Sequence, residues 1–172
     1  MQFLPGVFSL WLAAALIFGC SSGAYAQSLV VGQRLPDFTL PSAFPAYGQR
    51  LTEQRGRPLM LIISGRCNDC GAALQPLQRL QAGFALQQLS SWVIWTADGK
   101  DQPPQLHIPV LQRPASDWPH PLATITTPAV LLINPDGVLA HHISGRLRQL
   151  ADLTQPVLIQ WLDGLSVAGP EA

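Results

Sequence analysis

Cys67 and Cys70 lie three residues apart in the motif Cys67-Asn68-Asp69-Cys70, a spacing typical of redox-active dithiols. The thiolate is the species that attacks a disulfide. The motif follows an apolar run and precedes a helical pattern, so Cys67 stands where a helix N-terminus would stabilise a thiolate. We therefore predict that Cys67 attacks a substrate disulfide and that Cys70, one helical turn deeper, resolves the mixed disulfide.

Three other uses of a cysteine pair fit this sequence less well. Attachment of a c-type haem needs a histidine directly after the second cysteine, but Gly71 stands there. A structural zinc site needs four ligands, and the chain has no second CxxC motif and no histidine pair at zinc-finger spacing. A purely structural disulfide would close a very short loop, which stabilises little in the loop-entropy model.

Copper capture is the alternative that stays open, because soft thiolates bind Cu(I). A third ligand could come from one of four histidines: His107, His120, His141 and His142. On a strand, the adjacent His141 and His142 would point to opposite faces and could not both serve one compact site. The hypotheses are thus a redox protein, a thiolate-based copper chaperone and an inactive interaction domain. The redox function needs no flavin, nicotinamide or metal, because electrons enter and leave by disulfide exchange.

Alternating strands and helices are predicted around the motif. An almost wholly apolar run such as Pro58–Ser64, which leads into Cys67, is typical of a strand covered on both faces. The predicted strands are Pro58–Ser64, Ser91–Ala97, a short extended piece at Ile108–Leu111, and the hairpin arms Ala129–Ile133 and Val138–Ser144. The residues Asn134-Pro135-Asp136-Gly137 supply turn chemistry between the hairpin arms. Trp92 and Trp95 should pack on opposite faces of their strand.

Helices are predicted after the dithiol motif and near the C-terminus. One apolar face recurs at spacings of three and four residues, at Leu74, Leu77, Leu80 and Phe84. Pro76 is expected to kink this helix near its start. The stretch Arg146–Leu162 is predicted to be helical, with Pro156 either interrupting one helix or opening a second, and with Trp161 docking the helix on the core.

Charge composition excludes some functions. The 172 residues carry 10 Lys+Arg and 10 Asp+Glu, for a formal net charge of zero, and Lys100 is the sole lysine. Such a chain lacks the broad basic field that tracks nucleic-acid phosphates, so nucleic-acid binding is disfavoured. The sequence also contains no phosphate-binding glycine loop, no dinucleotide fingerprint and no supported Ser–His–Asp arrangement.

The first 26 residues are typical of an export signal. An uncharged apolar run, Phe3–Gly19, is followed by Ala24-Tyr25-Ala26, which resembles a cleavage site before Gln27. Two alternatives are a lipoprotein in which Cys20 is acylated and an uncleaved membrane anchor. All three send the protein across a membrane. We predict a signal segment or anchor over 1–26, one folded domain over 27–165 and a flexible tail over 166–172.

Several separated motifs together resemble the TlpA/ResA-type thioredoxin-like proteins of the bacterial envelope. They are the segment Gly32-Gln33-Arg34-Leu35-Pro36-Asp37-Phe38-Thr39-Leu40, the strand before the CxxC motif, Thr127-Pro128, and the hairpin turn Asn134-Pro135-Asp136-Gly137. The resemblance spans Val31 to Leu150. It implies an α/β thioredoxin-like fold in which a central mixed β-sheet is flanked by helices and preceded by an N-terminal signal segment. The protein would be located in the periplasm, where its N-terminus could tether it to the membrane.

The same resemblance implies an activity and partners. The chain would be a thiol-disulfide oxidoreductase that acts on protein disulfides or dithiols and is recharged by a membrane thiol-disulfide carrier. Maturation of cytochrome c or of copper sites is the cellular role it suggests. The substrate, the direction of electron flow and the oligomeric state are left open.

The resemblance also assigns site residues. Pro128 would be a cis-proline that faces the dithiol, with Thr127 before it, and together they would expose backbone groups for strand-like pairing with a substrate. Arg66 stands where many relatives carry an aromatic residue, and we place it in the substrate-binding set. Its charge would favour a Cys67 thiolate, whereas Asp69 would oppose it. Asp69 is either a proton-transfer group for Cys70 or a solvated acid at the helix start.

Overall fold

This computed structural model describes residues 29–96, 101–113 and 122–167, which contain seven strands and two α-helices. In chain order they are β1 (Thr39–Leu40), β2 (Gln49–Arg50), β3 (Leu59–Ser64), α1 (Cys70–Gly83), β4 (Ser90–Trp95), β5 (Val110–Gln112), β6 (Ala129–Ile133), β7 (Leu139–Ser144) and α2 (Leu150–Val167). The predicted signal segment, including Cys20, lies outside the described residues. In the described ranges, no helix is both long and apolar enough to cross a membrane.

The main sheet is mixed and has the strand order β5-β4-β3-β6-β7. Strands β3, β4 and β5 run parallel to one another, whereas β6 pairs antiparallel with both β3 and β7. Because β3 is the central strand and is covered on both faces, every one of its residues is buried. The strand predicted over Pro58–Ser64 is thus confirmed, and its carboxyl end leads directly to the cysteine motif.

The hairpin predicted from its turn residues is also confirmed. Ala129 pairs with Ser144 at its open end. At the turn, the Gly137 N–H donates to the Asn134 carbonyl at 2.8 Å, and Gly137 has a φ of +85°, a conformation that glycine adopts without steric cost. The second arm begins at Leu139 rather than Val138.

For two predicted strands, both boundaries were wrong by one or two residues. Strand β4 covers Ser90–Trp95 rather than Ser91–Ala97, and Ala97 lies outside the described residues. Strand β5 covers Val110–Gln112 rather than Ile108–Leu111. Pro109 has no N–H with which to extend the ladder, so regular pairing starts after it.

The sheet separates two hydrophobic cores. The first core lies against α1 and α2 and includes Met60, Ile62 and Trp95. The second core lies on the other face and includes Leu61 and Trp92. Trp92 and Trp95 therefore pack on opposite faces, as predicted from their spacing.

Helix α1 runs from Cys70 to Gly83 and continues through Pro76. The predicted apolar face is confirmed. Leu74 and Leu77 are fully buried, and Leu80 and Phe84 are partly buried against the first core.

Helix α2 is a single helix with Pro156 inside it. The chain neither breaks nor restarts at Pro156, whose ring is exposed, although the proline costs the helix one backbone hydrogen bond. Trp161 docks α2 as predicted, and its Nε1 donates to Asn134 Oδ1 at 2.8 Å.

An N-terminal segment, residues 32–43, pairs with both edges of the main sheet. The Gly32 N–H donates to the Leu139 carbonyl at 2.8 Å, next to the start of β7. At the opposite edge, the Ala43 N–H donates to the Val110 carbonyl and the Gln112 N–H donates to the Pro41 carbonyl, both at 2.9 Å. The apolar side chains of this segment, Leu35, Phe38 and Leu40, fill the second core.

Candidate functional site

The two cysteines lie at the carboxyl end of β3 and are joined in a disulfide, with their Cα atoms 5.3 Å apart. Gly65 and Arg66 connect β3 to Cys67, and Cys70 is the first residue of α1. Cys67 is half-buried, whereas Cys70 is 9% exposed and belongs to the first core. An incoming sulfur therefore reaches Cys67 more readily than Cys70.

Asp69 is the N-cap of α1. Its Oδ1 accepts a hydrogen bond from the Ala72 N–H at 3.3 Å, which satisfies one of the free donors at the helix start. The carboxylate is exposed. This geometry accounts for an acid at position 69 through helix capping. A role in proton transfer to Cys70 stays a prediction.

Backbone carbonyls surround the sulfur of Cys70. Its Sγ lies 3.1 Å from the Cys67 carbonyl oxygen and 4.0 Å from that of Gly65. A disulfide sulfur has no proton to donate, but a reduced Cys70 thiol could donate to these acceptors. Hydrogen bonding to the protonated form favours the thiol over the thiolate. Burial acts in the same direction, so Cys67 is the sulfur better placed to exist as a thiolate after reduction.

The hydroxyl groups of Ser64, Thr96 and Thr127 lie around Gly65, which leads into the motif. Thr96 Oγ1 donates to the Ser64 carbonyl at 3.3 Å. A Cβ atom at position 65 would lie 3.2 Å from Thr96 Oγ1 and 3.9 Å from Thr127 Oγ1, so glycine permits this close approach. Ser64 and Thr96 were missed in the sequence analysis. They could have been predicted from the sequence, because each lies at or just beyond the carboxyl end of a predicted strand, and the parallel strands β3 and β4 end at the same edge of the sheet.

The Thr127–Pro128 peptide bond is cis and precedes β6. Because Ala129 pairs with Ser144, this peptide lies beside the end of β7, and the Thr127 side chain approaches Gly65. The side chain of Arg66, the residue before Cys67, is 73% exposed, and its Nε lies 2.8 Å from Asp101 Oδ2. The structure thus brings Thr127 close to the chain leading into Cys67 and pairs Arg66 with an acid. A part in substrate binding stays a prediction for Arg66, Thr127 and Pro128.

A groove of about 440 Å³ opens beside the half-buried Cys67. Its two walls are the start of α1 and the turn between β7 and α2. The lining residues are Cys67, Asn68, Asp69, Ala73, Arg146, Leu147, Arg148 and Gln149. The sequence analysis predicted only that the residues of the second wall, from Arg146 onward, are helical.

Metal-ligating residues do not gather in the described part of the chain. Within it, no group of three or more His, Cys, Asp or Glu side chains is arranged to hold a metal ion. On β7, His141 is half-buried and its neighbour His142 is exposed, as expected for adjacent positions on an edge strand. His120 lies outside the described residues.

The chain is similar to known proteins in its structure but not in its sequence. No protein-family profile matches the chain, and no curated protein matches its sequence. A protein assigned as the thiol:disulfide interchange protein DsbE from Chlorobium tepidum is similar in structure, with a TM-score of 0.62 and 20% identity over 77% of this chain and 98% of that one. The thioredoxin domain of a Bacteroides vulgatus thiol-disulfide oxidoreductase also has a TM-score of 0.62, with 14% identity over 78% and 99% of the two chains.

An exposed lipoprotein thioredoxin from Streptococcus pneumoniae is a third similar structure, with a TM-score of 0.57 and 16% identity over 75% of this chain and 99% of that one. At such identities the likeness concerns the arrangement of the backbone. It agrees with the mixed central sheet, its flanking helices and a disulfide at the start of α1. The chain has a thioredoxin-like fold, as its motifs predicted.

Proposed function

We propose that this protein is a thiol-disulfide oxidoreductase that exchanges the Cys67–Cys70 disulfide with protein substrates. The observation that carries the proposal is the unequal exposure of two bonded cysteines at the start of α1 on a thioredoxin-like fold. Nucleophilic attack needs an accessible sulfur, and resolution needs a second sulfur held within bonding distance of the first.

Two exchange steps balance the reaction. The Cys67 thiolate attacks a substrate disulfide, and one substrate sulfur leaves as a thiolate that takes up a proton. The Cys70 thiol then loses its proton and attacks the Cys67 sulfur, which releases the second substrate thiolate. The substrate gains two electrons, and the cysteine pair becomes the disulfide seen here. The reverse sequence oxidises a substrate dithiol.

The substrate would lie along Thr127 and Pro128. Exposed backbone groups at this position could pair with an extended substrate segment, as in strand addition. The position of Thr127 near Gly65 supports the proposal, since a segment paired there would pass in front of Cys67.

We place this activity outside the cytoplasm, in the periplasm, with a membrane thiol-disulfide carrier as the source of electrons. The predicted signal segment supports this location, and two of the similar structures are an interchange protein of the DsbE type and an exposed lipoprotein thioredoxin. Maturation of cytochrome c or of copper sites is the role proposed with it.

Trapping tests the function. In a Cys70→Ala variant, Cys67 can attack but the mixed disulfide cannot be resolved, so we expect covalent partners that dithiothreitol releases. The matched Cys67→Ala variant should trap far less, because Cys70 is buried. The assay is non-reducing gel electrophoresis of envelope extracts followed by mass spectrometry. Absence of captured partners together with tight Cu(I) binding by the unmodified protein would favour the copper chaperone instead.

A further inference from the structure

The groove beside Cys67 has a cationic wall. Arg146 and Arg148 lie in the turn between β7 and α2 and line the groove together with Cys67. Both arginines are exposed, and within the described part of the chain neither forms an ion pair or a side-chain hydrogen bond. Their charges are thus available to a molecule that enters the groove.

Negative charge on the opposite wall is smaller. Asp69 is the acid that lines the groove, and its Oδ1 is occupied by the Ala72 N–H. Asp152, in the first turn of α2, is the other nearby acid, and it forms no ion pair with Arg148 among the described residues. The residues that line the groove thus carry two positive charges and one negative charge, because Asp152 is not among them.

We propose that Arg146 and Arg148 make this protein select substrates that carry acidic side chains next to the reactive cysteine. The inference rests on the proposed disulfide exchange and names the class of partner. No such preference follows from the cysteine motif itself, because its residues contribute only the acid Asp69.

The hairpin places these arginines within reach of a bound substrate. Ala129 pairs with Ser144, so the turn that carries Arg146 starts beside the Thr127–Pro128 peptide. A substrate strand paired at Thr127 advances about 3.3 Å per residue. A carboxylate one or two residues from the reactive cysteine would then reach the cationic wall while that cysteine lies over Cys67.

The expected selectivity is modest, because the arginines face water. Exposed ion pairs are weak and are screened by salt. A preference of about three- to fivefold for an acidic over a basic substrate is the scale that such pairs support at low ionic strength.

A peptide assay measures this preference. The reduced Cys70→Ala protein is mixed with a peptide whose single cysteine is bonded to thionitrobenzoate. Cys67 attacks the peptide sulfur, a protein–peptide disulfide forms, and coloured thionitrobenzoate anion leaves.

Release rates are compared for two peptides that differ only in having Asp or Lys on both sides of the cysteine. The ratio of the two rates is measured again with Arg146→Gln and Arg148→Gln added. Arg79→Gln, an exposed change further along α1, is the control.

The added arginine changes should lower the Asp-to-Lys rate ratio by about three- to fivefold, while Arg79→Gln leaves it unchanged. Salt at about 1 M should remove the difference between the proteins. A ratio that the arginine changes do not alter would overturn this inference but leave the exchange activity intact. Failure of both peptides to release thionitrobenzoate would instead overturn the proposed function.

Discussion

Identical cysteine side chains acquire different properties from their surroundings. Cys67 follows two linking residues beyond β3 and is half-buried, whereas Cys70 is buried and close to two carbonyl oxygens. Carbonyl acceptors and burial both favour a protonated Cys70 once the disulfide is reduced. The order of attack thus depends on position in the fold rather than on residue type.

Asp37 shows the same principle away from the cysteines. Desolvation would raise the pKa of its carboxyl group, but hydrogen bonds from the Arg50 guanidinium and the Thr52 N–H outweigh that effect. The pKa of Asp37 is therefore lowered on folding. A lowered pKa stabilises the fold at pH values above the unfolded-state pKa, and this stabilisation is lost as the pH falls through the folded-state pKa.

Asp37→Asn should consequently destabilise the protein more at pH 7 than at low pH. Asparagine keeps an oxygen that can accept from the Thr52 N–H, but its NH2 group cannot accept from Arg50, so the change removes the charge and the hydrogen bond from Arg50. The measurement is urea unfolding of both proteins at pH 7 and at about pH 3, below the ordinary range of an aspartate. Glu53→Gln, an exposed neighbouring acid with no ion pair among the described residues, is the control. A destabilisation that is equal at both pH values would contradict the prediction.

At the scale of elements, α2 contains a residue that weakens it. Pro156 lies in the helix interior, where it lacks the N–H that would donate to the carbonyl of Asp152. The helix nevertheless persists to Val167, because its other face is packed on the first core through Leu158, Trp161 and Leu162. Tertiary packing here overrides the local preference against proline.

Pro156→Ala should therefore stabilise the protein. Alanine restores the missing hydrogen bond, and its gain over proline in a helix interior is about 3 kcal/mol, of which roughly 1 kcal/mol is offset by a more flexible unfolded chain. We expect a net increase in the free energy of unfolding of about 1 to 2 kcal/mol. Chemical denaturation measures it. Gln155→Ala, an adjacent exposed change that leaves the backbone donor in place, should have a much smaller effect.

For the whole molecule, stability depends on both faces of one sheet. The first core holds the helices and the second holds the N-terminal segment, and β3 contributes alternate side chains to each. Since a single strand belongs to both cores, loss of packing in one should weaken the other. We expect the two halves to unfold together.

Leu74→Ala in the first core and Leu40→Ala in the second test this coupling. Both side chains are almost fully buried, so each truncation should cost about 2 to 5 kcal/mol. Leu86→Ala, at a position 96% exposed, should cost little. Circular dichroism and tryptophan fluorescence should report one shared transition for every variant. Two separate transitions in the Leu40→Ala protein would show that the cores unfold independently.

Sequence patterns predicted the elements that depend on local chemistry. The apolar run of β3, the spacing of Leu74 and Leu77, and the turn at Gly137 each carry a short-range signal, and all three are confirmed. The N-terminal segment was not predicted as part of the sheet, because its pairing partners are far away in the chain. The continuity of α2 through Pro156 likewise depends on core packing that local sequence does not encode.

The candidate site divides in the same way. The spacing of Cys67 and Cys70 is visible in the sequence, and so is the expectation that they stand at a helix start. The hydroxyl of Thr96 and the cationic wall formed by Arg146 and Arg148 come from other elements. Only the strand order and register of the sheet bring them to the cysteines.

The path of residues 32–43 has a consequence for association between copies of the chain. A β-strand at the edge of a sheet presents unpaired N–H and C=O groups that can recruit a strand from another molecule, which leads to aggregation. Here one segment hydrogen-bonds to β5 at one edge and to the beginning of β7 at the other. Detachment of this segment would expose β5 and the beginning of β7 at once, so its release is the first step by which we expect this protein to polymerise through its sheets.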